Sequence, residues 1–354
     1  MQGRRSFLRG CGAALATCAA PTLTWADVGA PVLLAAARDR DDRFTLYGIN
    51  RQLDICFRIP LPGRGHAAAA HPARPEAVAF ARRPGTFALV IDCSAGVVRQ
   101  RLDAPPGRHF YGHGAYIDDG AVLVTTENAF DTGKGQLGLW DTTAGYRRIG
   151  EIASGGIGPH EIVRLPGTQT LAVANGGIRT HPDRAREKLN LATMRPNLTY
   201  VNDGQLVAQV TLPRDLRQAS IRHLSARADG AVAMAMQWQG PDDQVVPLLG
   251  IHRAGQAIDL RSADDTLQRR LDGYAGSVAW SGDGTRVAIT SPRGGVAHIF
   301  GDDPAPTVLA RSDVCGVAAF AGDFAFTDGL GGMLTPVGLR RMAVAWDNHL
   351  VPIV

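Results

Sequence analysis

Five histidines and one cysteine recur at matching places along the chain. They lie in Arg64-Gly65-His66, Tyr111-Gly112-His113, Gly158-Pro159-His160, Ile221-Arg222-His223, Asp313-Val314-Cys315 and Asp347-Asn348-His349, and a seventh segment, Tyr274-Ala275-Gly276, holds the same place with glycine. Successive positions are 47, 47, 63, 53, 39 and 34 residues apart, and each is followed by a small or apolar stretch of strand type. Imidazole and thiolate are the donors that borderline transition metals take. Metal–nitrogen bonds of about 2 Å require donors to converge. Neighbours such as His66, His113 and His160 with His349 reach one ion more easily than all six; a cluster or two ions is the alternative.

The elements that must position these donors read as short β runs closed by turn signals. Phe87–Asp92, Ala121–Thr126, Thr170–Asn175, Ala231–Met236 and Arg286–Thr290 follow Pro84-Gly85, Asp119-Gly120, Pro166-Gly167, Asp229-Gly230 and Gly282-Asp283-Gly284. Such turns close short hairpins, and a repeat of about 40–50 residues is the length of a propeller blade. The expected fold is all-β: a seven-bladed β-propeller of four-stranded blades. Its last blade is split, with an inner strand from His349 to Val354 and the other three from Val32–Ala37, Phe44–Ile49 and Ile55–Ile59. This joins the ends of the chain and leaves no open sheet edge. Two helix-forming passages, Pro182–Leu191 and Ser262–Leu271, read as loop insertions.

In an antiparallel blade the start of the first strand and the end of the second share one face. The donors therefore share a face with Thr125-Thr126-Glu127-Asn128, the Asn175–Asp183 stretch, Thr290–Gly295 and Thr327–Gly332, while the opposite face carries plain hairpin turns. Glu127, Asn128, Glu161, Asn175, Arg179, His181, Arg222 and Arg293 are the candidates to support the ligands or contact a substrate. Glu127 and Glu161 also suit ion pairing with Arg179, Arg222 or Arg293. His71, His109, His252 and His298 fall off the register and read as structural or surface residues.

Composition bounds the rest. The 354 residues carry 37 basic and 33 acidic side chains, 42 glycines and 21 prolines. The basic residues are scattered with no interleaved aromatics, so nucleic acid is not an expected partner. Arg4-Arg5-Ser6-Phe7-Leu8-Arg9, the apolar stretch Cys11–Ala20 and Thr24-Trp25-Ala26 read as a twin-arginine export signal over residues 1–26, cleaved before Asp27. The propeller then occupies 27–354 in an oxidising compartment, the periplasm. A lipoprotein signal at Cys18 is a minor alternative, because Thr17 suits it poorly. No further apolar run is long enough to span a membrane. Cys56, Cys93 and Cys315 remain, an odd number, so one thiol at least is free or metal-bound; whether Cys56 and Cys93 pair is open. No C-x-x-C-H exists for covalent haem and no phosphate loop for a nucleotide.

Gly112-His113-Gly114, Thr125–Asn128, Gly156–Glu161, Ala174–Asp183, Lys188–Leu191, Ser220–Leu224, Thr290–Gly295 and Asp313–Gly316 together resemble the bacterial family called domain of unknown function 1513. The resemblance runs over residues 28–354, loosest at Asn128–Thr132. It implies a twin-arginine-exported propeller encoded near periplasmic iron-uptake and haem redox proteins, and it supplies no reaction. The expected function is transition-metal binding, iron or copper, at the histidine-rich face, in metal acquisition or periplasmic redox chemistry. Two alternatives stand: a metal-free propeller serving as a protein-interaction module, and a calcium-dependent propeller hydrolase.

Overall fold

The turn signals among the described residues do what their composition permits. Pro166-Gly167 turns the chain between the strands Pro159–Arg164 and Leu171–Asn175, with Gly167 at φ +70°. Asp229-Gly230 does the same between Ala219–Ala226 and Val232–Trp238, with Gly230 at φ +81°. This is left-handed backbone that glycine adopts without steric cost. Repetition of the unit yields seven antiparallel sheets of four strands. The structure, a computed structural model, describes residues 23–82, 86–184 and 187–353. The twin-arginine motif, the apolar stretch after it and Cys18 lie outside the described residues, as do Gly85, Ala185, Arg186 and Val354.

The protein is a seven-bladed β-propeller. Six blades use consecutive strands, with inner strands Gly65–Ala70, Arg108–Ile117, Pro159–Arg164, Ala219–Ala226, Ser277–Trp280 and Val314–Phe320. The seventh takes its inner strand, Val344–Pro352, from the end of the chain, and pairs it antiparallel with Leu33–Asp39 from the beginning. That pairing closes the ring and hides what would be two sheet edges.

Burial follows the radial position of each strand. Glu76–Ala81, second in its blade, is buried throughout, whereas the outermost strand Val97–Asp103 is exposed at every position but Leu102. The core is a ring of seven apolar layers, one between each pair of neighbouring blades. Phe80 and Phe110 meet between blades one and two, and Trp280 and Phe300 pack between four and five. Cys315, Phe320, Tyr47 and Trp346 pack between six and seven. No layer is large alone; closure makes each blade depend on both neighbours.

The expected boundaries need two corrections. Three inner strands begin well before their histidine: at Arg108 for His113, Ala219 for His223 and Val344 for His349. Ladder pairing continues upstream because the chain accommodates one or more extra residues as a bulge rather than ending the strand. The passage 262–271 does hold a helix, Asp265–Arg269, capped by the Asp264 carboxylate accepting from Thr266 and Leu267 N–H. The passage 182–191 holds only 3₁₀ turns at Pro182–Arg184 and Leu191–Thr193. There the loop folds back on itself: Leu189 N–H donates to the Arg179 carbonyl and Arg179 N–H to the Asn190 side chain. Trp25, in the expected signal segment, is buried between blades seven and one, and its indole N–H donates to the His71 carbonyl at 2.9 Å.

Candidate metal centre

The donors are aimed by β-bulges. The ladder between first and second strands shifts register at Gly65/Ala68, Phe110/Gly114, Pro159/Glu161, Ile221/His223 and Val314/Val317. The seventh inner strand shifts against Ala35/Ala37. Each irregularity falls at or beside a histidine or Cys315. The inner strand Ser277–Trp280, which bears no donor, runs in register. A bulge adds a residue to one strand and re-aims its side chain, so six strands carry the device where the donor stands. Gly112 sits at φ +105° against the His66 ring, and a side chain there would collide with it.

Five imidazoles meet as a result. Ring centroids lie 4.6 Å apart for His66 and His349, 4.8 Å for His113 and His349, 4.7 Å for His223 and His349, and 4.8 Å for His160 and His223. One ring nitrogen from each of His66, His113 and His160 lies within 4.8 Å of the others, and the same holds for His113, His223 and His349. His113 belongs to both sets. Four ring nitrogens, His66 Nδ1, His113 Nε2, His160 Nδ1 and His349 Nε2, are buried with no hydrogen-bond partner. Burying an unpaired polar atom costs about 1–3 kcal/mol, so four together require a compensating partner. A metal ion supplies one, and nitrogen ligands of a tetrahedral ion stand about 3.4 Å apart by its bond lengths. The donor atoms stand wider than this, within 4.8 Å, so an ion would draw the rings inward, and the donor set fits a borderline transition ion.

Electrostatics favours the same use. Burial, reinforced by the neighbouring imidazoles and by Arg82 or Arg222, pushes His66, His160 and His349 well below the usual histidine range, into the neutral form that ligates metals. Burial also lowers His223, against the pull of Glu161. Glu161 lies between two of the rings. Its carboxylate accepts from His223 Nδ1 and from Leu224 N–H, each at 3.0 Å, and faces His113 Nδ1 at 3.5 Å. Burial raises the Glu161 pKa, but His113 and His223 outweigh it and hold the group below the usual carboxylate range. A carboxylate on Nδ1 fixes the tautomer and leaves Nε2 as the free donor, as in carboxylate–histidine–metal triads.

The other expected residues lie elsewhere. Cys315 does not join the imidazole sets. Its thiol is buried against the carbonyls of Asp347 at 3.4 Å and of Thr327 and Trp346 at 3.6 Å, and burial raises it to about 12. Glu127 is wholly buried within blade two, held by two guanidinium nitrogens of Arg148 and by Arg108. Asn128 donates to the Thr180 carbonyl, and Asn175 is tied to Ser154, Asn197 and Thr199. Arg179 donates to the Asp131 carbonyl and His181 faces the Asp131 carboxylate, so both tie the third-blade loop to a turn of blade two. Arg293 stacks over Tyr274 at 4.6 Å. Arg222 occupies the bulge beside His223 and acts on His160. Among the described residues, Cys56, Cys93 and Cys315 are all free thiols.

Sequence reasoning missed one group. Asp347 is nearly buried and accepts from Arg64 Nε at 2.7 Å and Arg82 Nη1 at 3.2 Å, linking the closing strand to blade one beside His66 and His349. Arg64 and Asp347 each stand two residues before a ligand candidate, and that matched offset was the available signal.

A cavity of about 910 Å³ adjoins the centre. His113, Glu161, His223 and His349 line it, and from them it runs along the inner strands to Pro72, Pro166, Asp229 and Asp283, at the hairpin-turn end. The open space thus lies on the side away from the motif-rich loops. His66 and His160 are not among its lining residues.

Among the described residues no helix is long and apolar enough to cross a membrane. A search of curated proteins finds no match. Among solved structures, one described as Kuenenia stuttgartiensis Hydrazine Synthase aligns over 85% of this chain and 90% of its own, at 13% identity and a TM-score of 0.59. At that identity the likeness is one of fold. A family model described as "Protein of unknown function (DUF1513)" matches residues 59–353, most of the chain, and the protein belongs to that family.

Proposed function

We propose that this protein is an exported, periplasmic metalloprotein whose propeller holds a transition-metal ion, iron or copper, in its five-histidine centre. The reading rests on the four buried ring nitrogens left without partners where five imidazoles converge, two of them facing Glu161. Imidazole suits iron, copper, zinc and nickel, whereas calcium takes oxygen donors, and a single carboxylate does not make a calcium site. His113, with His66 and His160 or with His223 and His349, would hold the ion. Glu161 orients two of the rings and balances charge. The ion would supply redox or metal-transfer chemistry, alongside periplasmic iron-uptake or haem redox proteins.

The test is elemental analysis with an absorption spectrum of protein taken intact from the periplasm. About one equivalent of iron or copper is expected. Less than a tenth of an equivalent of any transition metal in fully folded protein overturns the reading.

A further inference from the structure

The cavity is asymmetric with respect to the centre. All three members of the His113, His223 and His349 set line it, but only His113 of the other set does. Its walls are small and apolar. Ala115, Val163, Ala226 and Val351 are half-buried and Ala319 is exposed, although all lie on inner strands. Apolar side chains on innermost strands keep such exposure only beside open space. Glu161 is the one carboxylate at the floor, and Arg164, Arg227, Asp229 and Asp283 stand at the hairpin end. A volume of about 910 Å³ is that of a small-molecule site, and apolar walls with a few convergent polar groups are the usual make-up of one.

We propose that this channel receives a small organic molecule with an apolar body and a neutral nitrogen or oxygen donor. It enters from the hairpin end, and its donor meets the ion held by His113, His223 and His349. The floor carboxylate disfavours anionic heads, and the alanine-lined walls accept a slender apolar body. The donor head rests on the metal reading above; the channel and its direction do not.

The probes are imidazole and 1-hexylimidazole, added to Co²⁺-loaded protein and followed by the visible cobalt bands. Hexylimidazole is expected to bind at least tenfold more tightly, because its chain leaves water for the channel wall. Ala115→Trp should abolish that gain while leaving cobalt content and imidazole binding within threefold. Ala226→Phe serves if the tryptophan variant fails to fold. Equal affinity of the two probes, or an unaltered gain in a folded plugged variant, overturns the proposed ligand class. A second arm needs no metal. In metal-free Val163→Cys, methyl methanethiosulfonate should label residue 163 at least tenfold faster than Cys315, as mapped by peptide mass. Labelling as slow as at Cys315 overturns the channel whatever the metal content. A protein that takes up no metal overturns the donor head together with the reading it rests on, and the labelling result still decides the channel.

Discussion

Blades one to four and seven differ from blades five and six in a way that position in the ring does not explain. Blade six has the same bulge at the same register, and it presents a soft donor there. Yet the Cys315 thiol is matched to three backbone carbonyls, while four nitrogens of the imidazole cluster are matched to nothing. Blade five has neither bulge nor donor, and its loop is occupied by Arg293 against Tyr274. What marks the centre is that such unspent hydrogen-bonding capacity converges from several blades; His298 in blade five also has two unpartnered ring nitrogens but joins no such group among the described residues. Register alone identifies only where such side chains can stand.

The strongest way to break this comparison is to delete one donor from each side. His113 belongs to both ligand sets, so His113→Ala should drop bound metal below a tenth of an equivalent by elemental analysis. Cys315→Ala should keep full occupancy. It should cost stability through lost packing between blades six and seven, a small cavity term of roughly 1 kcal/mol in denaturant unfolding. Retained metal in the first variant, or lost metal in the second, erases the distinction between the two regions.

A second contrast uses backbone. Gly112 and Gly276 hold equivalent segments, but only Gly112 is at positive φ and touches a ligand candidate. Gly112→Ala adds strain of about 1–3 kcal/mol and drives a methyl group into the His66 ring. It should lower both the unfolding free energy and metal affinity. Gly276→Ala meets Pro292 and Tyr274 at 3.0 and 3.1 Å and should lower stability alone. Unchanged metal affinity in Gly112→Ala would place His66 outside the centre.

Glu161 sharpens the comparison within the cluster. Glu161→Gln keeps the size of the side chain and removes the charge that faces two Nδ1 atoms. Loss of such a supporting carboxylate costs about 10- to 100-fold in metal affinity, measurable by chelator competition, with little change in thermal stability. Glu127→Gln, on a more deeply buried carboxylate locked to Arg148, should do the reverse. It should destabilise blade two and leave metal affinity alone.

The fold was legible because hairpin turns and a blade-length repeat are local signals, and closing the ring needs only the two ends. Five of the six proposed donors meet for the same reason: one register position maps to one place round the axis. The remainder depended on contacts that no spacing encodes. Cys315 matches the histidines in the linear pattern, and only the fold shows the Asp347, Thr327 and Trp346 carbonyls around its sulfur. Glu127 reads like Glu161 until Arg148 is seen beside it, coming from the blade's outermost strand. Loop composition pointed to the motif-rich face as the one that contacts a substrate, whereas the cavity opens at the other end. The small residues that hollow out the other end, such as Ala115 and Ala226, look like ordinary strand residues in sequence.

The smallest effect separates the centre from histidines that serve packing. His298, in blade five, is fully buried, and burial together with Arg270 holds it at about 4, against 6.5 for a free side chain. His71, in blade one, is likewise held at about 4, by burial and Arg74. The folded pKa lies below the unfolded one, so the unfolded chain binds more protons between pH 6.5 and 4. Each group's contribution is therefore complete above pH 6.5 and is lost as pH falls towards 4, at up to about 1.4 kcal/mol per pH unit. His298→Phe should flatten the acid limb of a stability–pH profile by that slope and leave metal content untouched. The difference between variant and parent cancels the imidazoles common to both. A slope unchanged by the substitution would mean that His298 takes up its proton as readily in the folded blade as in the unfolded chain, with the Asp264 carboxylate offsetting burial and Arg270.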